Sequence, residues 1–164
     1  NGVAIALCIF WLIIFLLNGS TTSYLLYSLA ISLGFVLIFN IQNKVFLGNS
    51  GSSLLSIIFS SLFILNYNID GQIKCDEIFL LMFIPGLDSI RVSLQRLFKN
   101  QSPFLPDKTH LHHLLLKTFN MKYIFLIYVF ISALPYLLTY FLSTILSLII
   151  SFALYLTLFI TLNK

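Results

Sequence analysis

The sequence predicts an all-α, polytopic membrane protein with about six transmembrane helices and a cytoplasmic polar loop that carries a short helix. Three observations predict it. Of 164 residues, 59% are hydrophobic and 9% charged, whereas soluble domains carry roughly a quarter charged residues. The mean hydropathy is +1.01, and a soluble core of this size could not hide so much Phe, Leu and Ile, because small domains leave much of their surface in water. The apolar residues also form continuous runs rather than alternating ones, which favours helices over a membrane barrel.

Crossing the hydrocarbon takes about 20 mostly apolar residues, fewer where polar ends snorkel. The first run extends from Val3 to Leu17 and ends at Asn18-Gly19-Ser20-Thr21. The second spans Tyr24 to Phe39. The third, Ser53 to Leu65, is short and rich in Ser, so protein rather than lipid is expected to shield its ends. The fourth begins near Glu77 and is expected to break at Pro85-Gly86. The fifth and sixth cover Tyr123 to Leu138 and Thr144 to Leu162, with a short turn between them.

Basic residues set the orientation. With the first helix starting inside, Lys44, Arg91, Arg96, Lys99, Lys108, Lys117, Lys122 and Lys164 fall inside, and only Lys74 falls outside. Eight of nine basic residues then obey the positive-inside rule. The formal charge of +4 therefore reads as membrane topology, and no nucleic-acid partner is expected. Cys8 and Cys75 stand alone in different segments and suggest neither a disulfide framework nor a CxxC site. No signal peptide opens the sequence, and its start at Asn1 leads us to expect a fragment or a processed product.

Two polar islands interrupt the apolar runs, both on the inner side. In the first, Lys44 to Ser53, Gly48 and Gly51 allow a tight turn and close approach of a ligand. Asn49, Ser50, Ser52 and Ser53 are placed to cap the next helix, whose N-terminal N–H groups favour an anion such as a phosphate. By spacing alone this segment reads first as an ordinary interfacial turn with a Ser cap, ahead of a ligand site.

The second island starts with Asp88, Arg91 and Gln95, three and four residues apart and so on one helical face. Ionisable groups in a membrane helix face a polar cavity or each other; here they mark a site or form a self-neutralising pair. A helix break at Pro85-Gly86 would free carbonyl groups beside them. After Ser102-Pro103-Phe104, either Asp107 or Thr109 is expected to cap a short helix bearing His110, His112 and His113, with His110 and His113 on one face. Leu111, Leu114 and Leu115 give it an apolar side suited to the inner membrane surface. Zinc would need further ligands that the two cysteines are badly placed to give. Imidazoles near Lys108 and Arg96 suit a diphosphate or nucleotide better.

VFLGNSGS, then PGLDSIRVSLQR, then SPFLPDKTHLHHLL resemble the polyprenyl-phosphate N-acetylhexosamine-1-phosphate transferases. That family includes the enzymes that start O-antigen and teichoic-acid linkage synthesis, with the peptidoglycan translocase a more distant relative. The resemblance covers essentially all of 1–164 as the C-terminal part of one transmembrane transferase domain, with its N-terminal helices missing. Asn1-Gly2-Val3-Ala4 resembles the end of the family's D-G-x-D/N-G-L-A segment. The resemblance implies transfer of a sugar-1-phosphate from a UDP-sugar to undecaprenyl phosphate, releasing UMP, at a cytoplasmic site of the bacterial inner membrane. It also implies Mg²⁺, with Mn²⁺ as a substitute, and it allows a homodimer.

By the same resemblance, Asn49 falls where most members have a metal-binding Asp. Asp88, Arg91 and Arg96 match polar positions of the following segment. Lys108 replaces an Arg in D-R-x-H-x-H-H, whose histidines, associated with the nucleotide sugar, match His110, His112 and His113. The implied roles are catalysis for Asp88 and His110, and substrate binding for Lys44, Ser52, Arg91, Arg96, Lys108, His112 and His113. Two departures stand out. Asn49 offers a cation oxygen without full charge, and no acidic residue precedes Asp70, so the family's earlier Asp pair is absent and this segment alone is not expected to catalyse.

Two other classes compete. A transporter or channel subunit would use Asp88, Arg91 and the Pro-Gly break as a substrate pathway, although no inverted repeat is visible. An inactive scaffold or truncated product is the third reading.

Overall fold

The computed structural model describes residues 2–19, 23–71, 73–102 and 109–162. Among them every regular element is a helix: α1 (Gly2–Leu17), α2 (Ser23–Ile41), α3 (Gly48–Leu65), α4 (Cys75–Phe98), α5 (Leu111–Thr118), α6 (Met121–Leu138) and α7 (Thr144–Leu162). A π-helical segment, Asn66–Asp70, continues α3. Each apolar run has become one helix. Three helical stretches, Ser23–Ile41, Gly48–Ile69 and Thr144–Leu162, are long and apolar enough to cross a membrane by length and composition. Gly2–Leu17 and Tyr123–Leu138 are apolar but shorter.

The chain forms two compact units, Asn1–Ile78 and Phe79–Lys164. In the first, α1 packs against α2 and α3. Trp11 lies 5.6 Å from Phe59 and 5.5 Å from Phe63, and Phe15 meets Phe63 edge-on at 4.9 Å. Tilted and edge contacts of this kind suit the ring quadrupoles. In the second unit α5 lies against both α6 and α7, which also pack on each other. Its last helix is inside out by the standards of a water-soluble protein. α7 buries Ser147, Ser151 and Tyr155 while Ile145, Ile149, Phe152 and Ile160 are exposed. Lipid outside and close polar packing inside favour that arrangement.

Two expectations are corrected. α4 runs unbroken through Pro85. A proline removes a single N–H from the ladder, and where water does not compete for the flanking bonds one lost bond does not end a helix. Ser89 Oγ donates back to the Pro85 carbonyl at 2.9 Å. Second, α3 begins at Gly48 rather than Ser53, so the glycine-rich island is its first turn.

Candidate active site

The α4 face expected from spacing is a bonded array. Arg91 Nη2 donates to Asp88 Oδ1 at 2.7 Å and to the Thr109 carbonyl at 2.7 Å. Its Nη1 donates to Gln95 Oε1 at 2.9 Å and its Nε to the Tyr155 hydroxyl at 2.9 Å. These bonds occupy four of the five N–H groups of the guanidinium. The Phe159 ring covers the ion, with its centroid 4.4 Å from Cζ, in cation–π contact.

Asp88 is buried and joins this array to the histidines. The Tyr155 hydroxyl donates to Oδ1 at 3.1 Å, and His110 Nδ1 donates to Oδ2 at 2.9 Å. The backbone N–H of Leu111 reaches both oxygens at 3.1 Å. Leu111 is the first residue of α5, so Asp88 supplies from another helix the anion that a helix N-terminus favours. The N-cap residue is His110, without a side-chain cap bond of its own, and Asp107, one of the two expected caps, lies outside the described residues.

His110 therefore precedes α5 with a non-helical ψ of 150°, and the His113 N–H donates to the His110 carbonyl at 2.9 Å. The rings follow one another in chain order. His110 and His112 lie 5.7 Å apart, and His112 and His113 lie 4.2 Å apart. His112 also meets Tyr128 edge-on at 6.1 Å. Burial, then the neighbouring His113 and His110, push the His112 imidazole down to about 4. Its imidazole is therefore held toward the neutral form near pH 7, which works against the charge-assisted bonding expected of it. His110 keeps 32% of its side chain exposed, so with Nδ1 bound to Asp88 the Nε2 atom is the one open to a ligand.

Arg96 is buried and its Nη1 donates to the Ser102 carbonyl at 2.9 Å, tying down the chain that leaves α4. Lys108 lies outside the described residues. Lys44, Asn49 and Ser52 belong to the first unit, all exposed. Gly48 has φ +67°, a conformation that a Cβ disfavours, and a Cβ on Gly51 would lie 2.9 Å from the Leu47 side chain. No side chain caps α3. Ser52 Oγ donates to the Gly48 and Asn49 carbonyls, both at 2.9 Å, which turns the hydroxyl back along the helix.

The described residues do not by themselves fit a divalent cation. They contain no cluster of three His, Cys, Asp or Glu side chains able to hold a metal. Asn49 brings one neutral oxygen, and the Asp88 oxygens are already engaged by Arg91, His110, Leu111 and Tyr155.

Tyr155 and Phe159 escaped the sequence reading. The available signal was the four-residue spacing of Ser147, Ser151 and Tyr155 in a helix whose other polar residues are threonines, which marks a protein-facing stripe.

No family model matches the chain, and no solved structure matches it. Curated relatives do. The chain is 31% identical over 123 residues to the undecaprenyl-phosphate alpha-N-acetylglucosaminyl 1-phosphate transferase of Haemophilus influenzae, covering 73% of this chain and 32% of that protein. It is 34% identical over 95 residues to the protein of the same name from Yersinia pestis, and 33% identical over 95 residues to that from Escherichia coli. Each of these two matches covers 56% of this chain, with 26% and 25% of the relative. The chain thus spans about a quarter to a third of the length of these relatives.

Proposed function

We propose that this chain, a homologue of part of the undecaprenyl-phosphate alpha-N-acetylglucosaminyl 1-phosphate transferases, is the C-terminal part of a membrane transferase. In our reading it moves a sugar-1-phosphate, most simply N-acetylhexosamine-1-phosphate, from a UDP-sugar to undecaprenyl phosphate and releases UMP. That reaction begins a cell-envelope glycopolymer. The enzyme sits in the bacterial inner membrane with about six spans in this segment, and both polar islands face the cytoplasm.

The observation that carries the reading is the Asp88–His110 pair at the start of α5. In the proposed reaction an oxygen of the lipid phosphate attacks the sugar-bearing phosphorus. The bond from that phosphorus to the bridging oxygen breaks, and the electron pair leaves with UMP. Positioning and charge stabilisation do most of the work in such transfers. His110 presents Nε2 to the diphosphate while Asp88 fixes the tautomer. His112 and His113 extend the imidazole surface, and phosphate binding by Lys108, Lys44 and Ser52 enters the proposal on kinship alone. Arg91 and Arg96 support from behind, since their nitrogens hold protein carbonyls and side chains. Mg²⁺, or Mn²⁺ in its place, with Asn49 as one ligand, belongs to the proposal on kinship alone.

The transporter reading loses one of its supports, the helix break at Pro85, because α4 is continuous there. The test is release of UMP from UDP-N-acetylhexosamine and undecaprenyl phosphate by the full-length protein. His110→Ala and His113→Ala should each lower turnover by roughly 10²-fold or more, the low end for a positioned acid–base or phosphate-binding group. Wild-type rates in membranes carrying either variant would remove the histidines from the reaction.

A further inference from the structure

We propose that Tyr155 and Phe159, one turn apart on α7, are positioning residues that lock Arg91 and Asp88 in the arrangement that fixes His110. The role assigned to His110 rests on the reading above. The lock itself rests on geometry within the second unit.

The Tyr155 hydroxyl works in both directions. It accepts from Arg91 Nε at 2.9 Å and donates to Asp88 Oδ1 at 3.1 Å. A buried phenol hydroxyl is costly unless bonded, and here both of its bonds go to the ion pair. Phe159 closes the same guanidinium from its face, 4.4 Å from centroid to Cζ. A guanidinium held at its edge by Tyr155, Gln95, Asp88 and Thr109 and on its face by Phe159 has one orientation. That orientation fixes the Asp88 carboxylate plane, and the carboxylate holds His110 Nδ1–H and the Leu111 N–H. Removing the hydroxyl deprives Arg91 Nε of its acceptor and Asp88 Oδ1 of a donor. The guanidinium then keeps its bonds to Gln95, Asp88 and Thr109 and its ring contact but is held less tightly, and with the Asp88 carboxylate loosened His110 loses its single fixed tautomer.

The experiment uses the full-length protein in detergent or nanodiscs, with Tyr155→Phe and Phe159→Leu made alone and with His110→Ala. Tyr155→Phe should lower kcat about tenfold while KM for the UDP-sugar moves less than about twofold, the pattern of an interaction expressed in the transition state. Phe159→Leu should lose less, in the same direction. Added to His110→Ala, Tyr155→Phe should cost nothing further, since residues acting as a unit are not additive. Nitrogen NMR of labelled histidine should show one fixed Nδ1–H tautomer for His110 in the wild type and averaging between tautomers in Tyr155→Phe. Wild-type kcat, losses that multiply in the His110→Ala background, or an unaltered His110 spectrum would each overturn the proposal. If Tyr155→Phe also lowers the thermal midpoint, Phe159→Leu carries the same NMR test with an apolar side chain in place. The NMR readout needs no turnover. A protein that transfers no sugar phosphate yet shows the tautomer change would refute the enzymatic reading and keep the positioning role.

Discussion

Asp88 and His110 touch each other but answer to different pressures. Asp88 is buried, and its two oxygens take bonds from Arg91, Tyr155, His110 and Leu111, about all that a carboxylate's lone pairs accept. Truncating it leaves Arg91 desolvated without its counterion. Asp88→Ala should therefore cost about 3–5 kcal/mol of stability, the range for breaking a buried ion pair from one side. A thermal unfolding series in detergent checks this. His110→Ala gives up one hydrogen bond and should cost about 1 kcal/mol, so the pair separates a fold-bearing residue from a turnover-bearing one. His112 has a pH signature of its own. Its value is pushed to about 4 from an ordinary 6.5 by burial and by His113 and His110, with Asp88 pulling the other way. Between those limits the unfolded chain binds a proton that the folded one refuses, so stability is full above about 6.5 and falls as the pH drops toward 4. The thermal midpoint should decline over that window, and His112→Gln should flatten the decline.

Two helices in this chain end on asparagines that tolerate left-handed backbone. Asn43 (φ 58°) closes α2, where the Lys44 N–H returns to the Phe39 carbonyl at 2.9 Å. Asn100 (φ 53°) closes α4, where the Gln101 N–H returns to the Arg96 carbonyl at 2.9 Å. Both are the αL closure usually given to Gly. Gly48 opens α3 at φ +67°, and Gly48→Ala should cost about 1–2 kcal/mol in thermal unfolding, the penalty of a Cβ there. An unchanged midpoint would mean that α3 can start elsewhere. Element positions were legible because lipid-length apolar runs have few alternatives, and α7 was read to its observed ends. Two features were not. Pro85 reads as a breaker by rules learned in water, and the cap of α5 comes from Asp88, 23 residues earlier in the chain. Local sequence holds no trace of such a cap. The Asp88–Arg91–Gln95 face was legible from its spacing. Its link to Tyr155 was not, because 64 residues separate Arg91 from a tyrosine that has only hydroxyl side chains as polar neighbours on its helix.

At the scale of the whole molecule, α4 carries too many charges to form a purely apolar window, yet it is expected to cross the membrane. Two features support that expectation. Its 24 residues extend about 36 Å at 1.5 Å per residue, more than the roughly 30 Å of hydrocarbon. Its central charges, Asp88 and Arg91, neutralise each other at 2.7 Å behind Tyr155 and Phe159, as paired charges inside membranes do. Asp76 and Glu77 lie in its first turn and Arg96 in its last, so in a crossing with the expected orientation acid would lie outside and base inside, as topology favours. The chain supplies its own reporter. Cys75, at the start of α4, is exposed, whereas Cys8 is buried, and Lys117, beyond the far end of α4, is exposed on α5. In intact cells making the full-length protein with its other cysteines replaced, an impermeant maleimide should label Cys75 directly. In a Cys75→Ser background, Lys117→Cys should be labelled only after the membrane is permeabilised. Labelling of both positions from outside would mean that α4 does not cross, and the reverse pattern would put the imidazoles on the face where no nucleotide sugar is supplied.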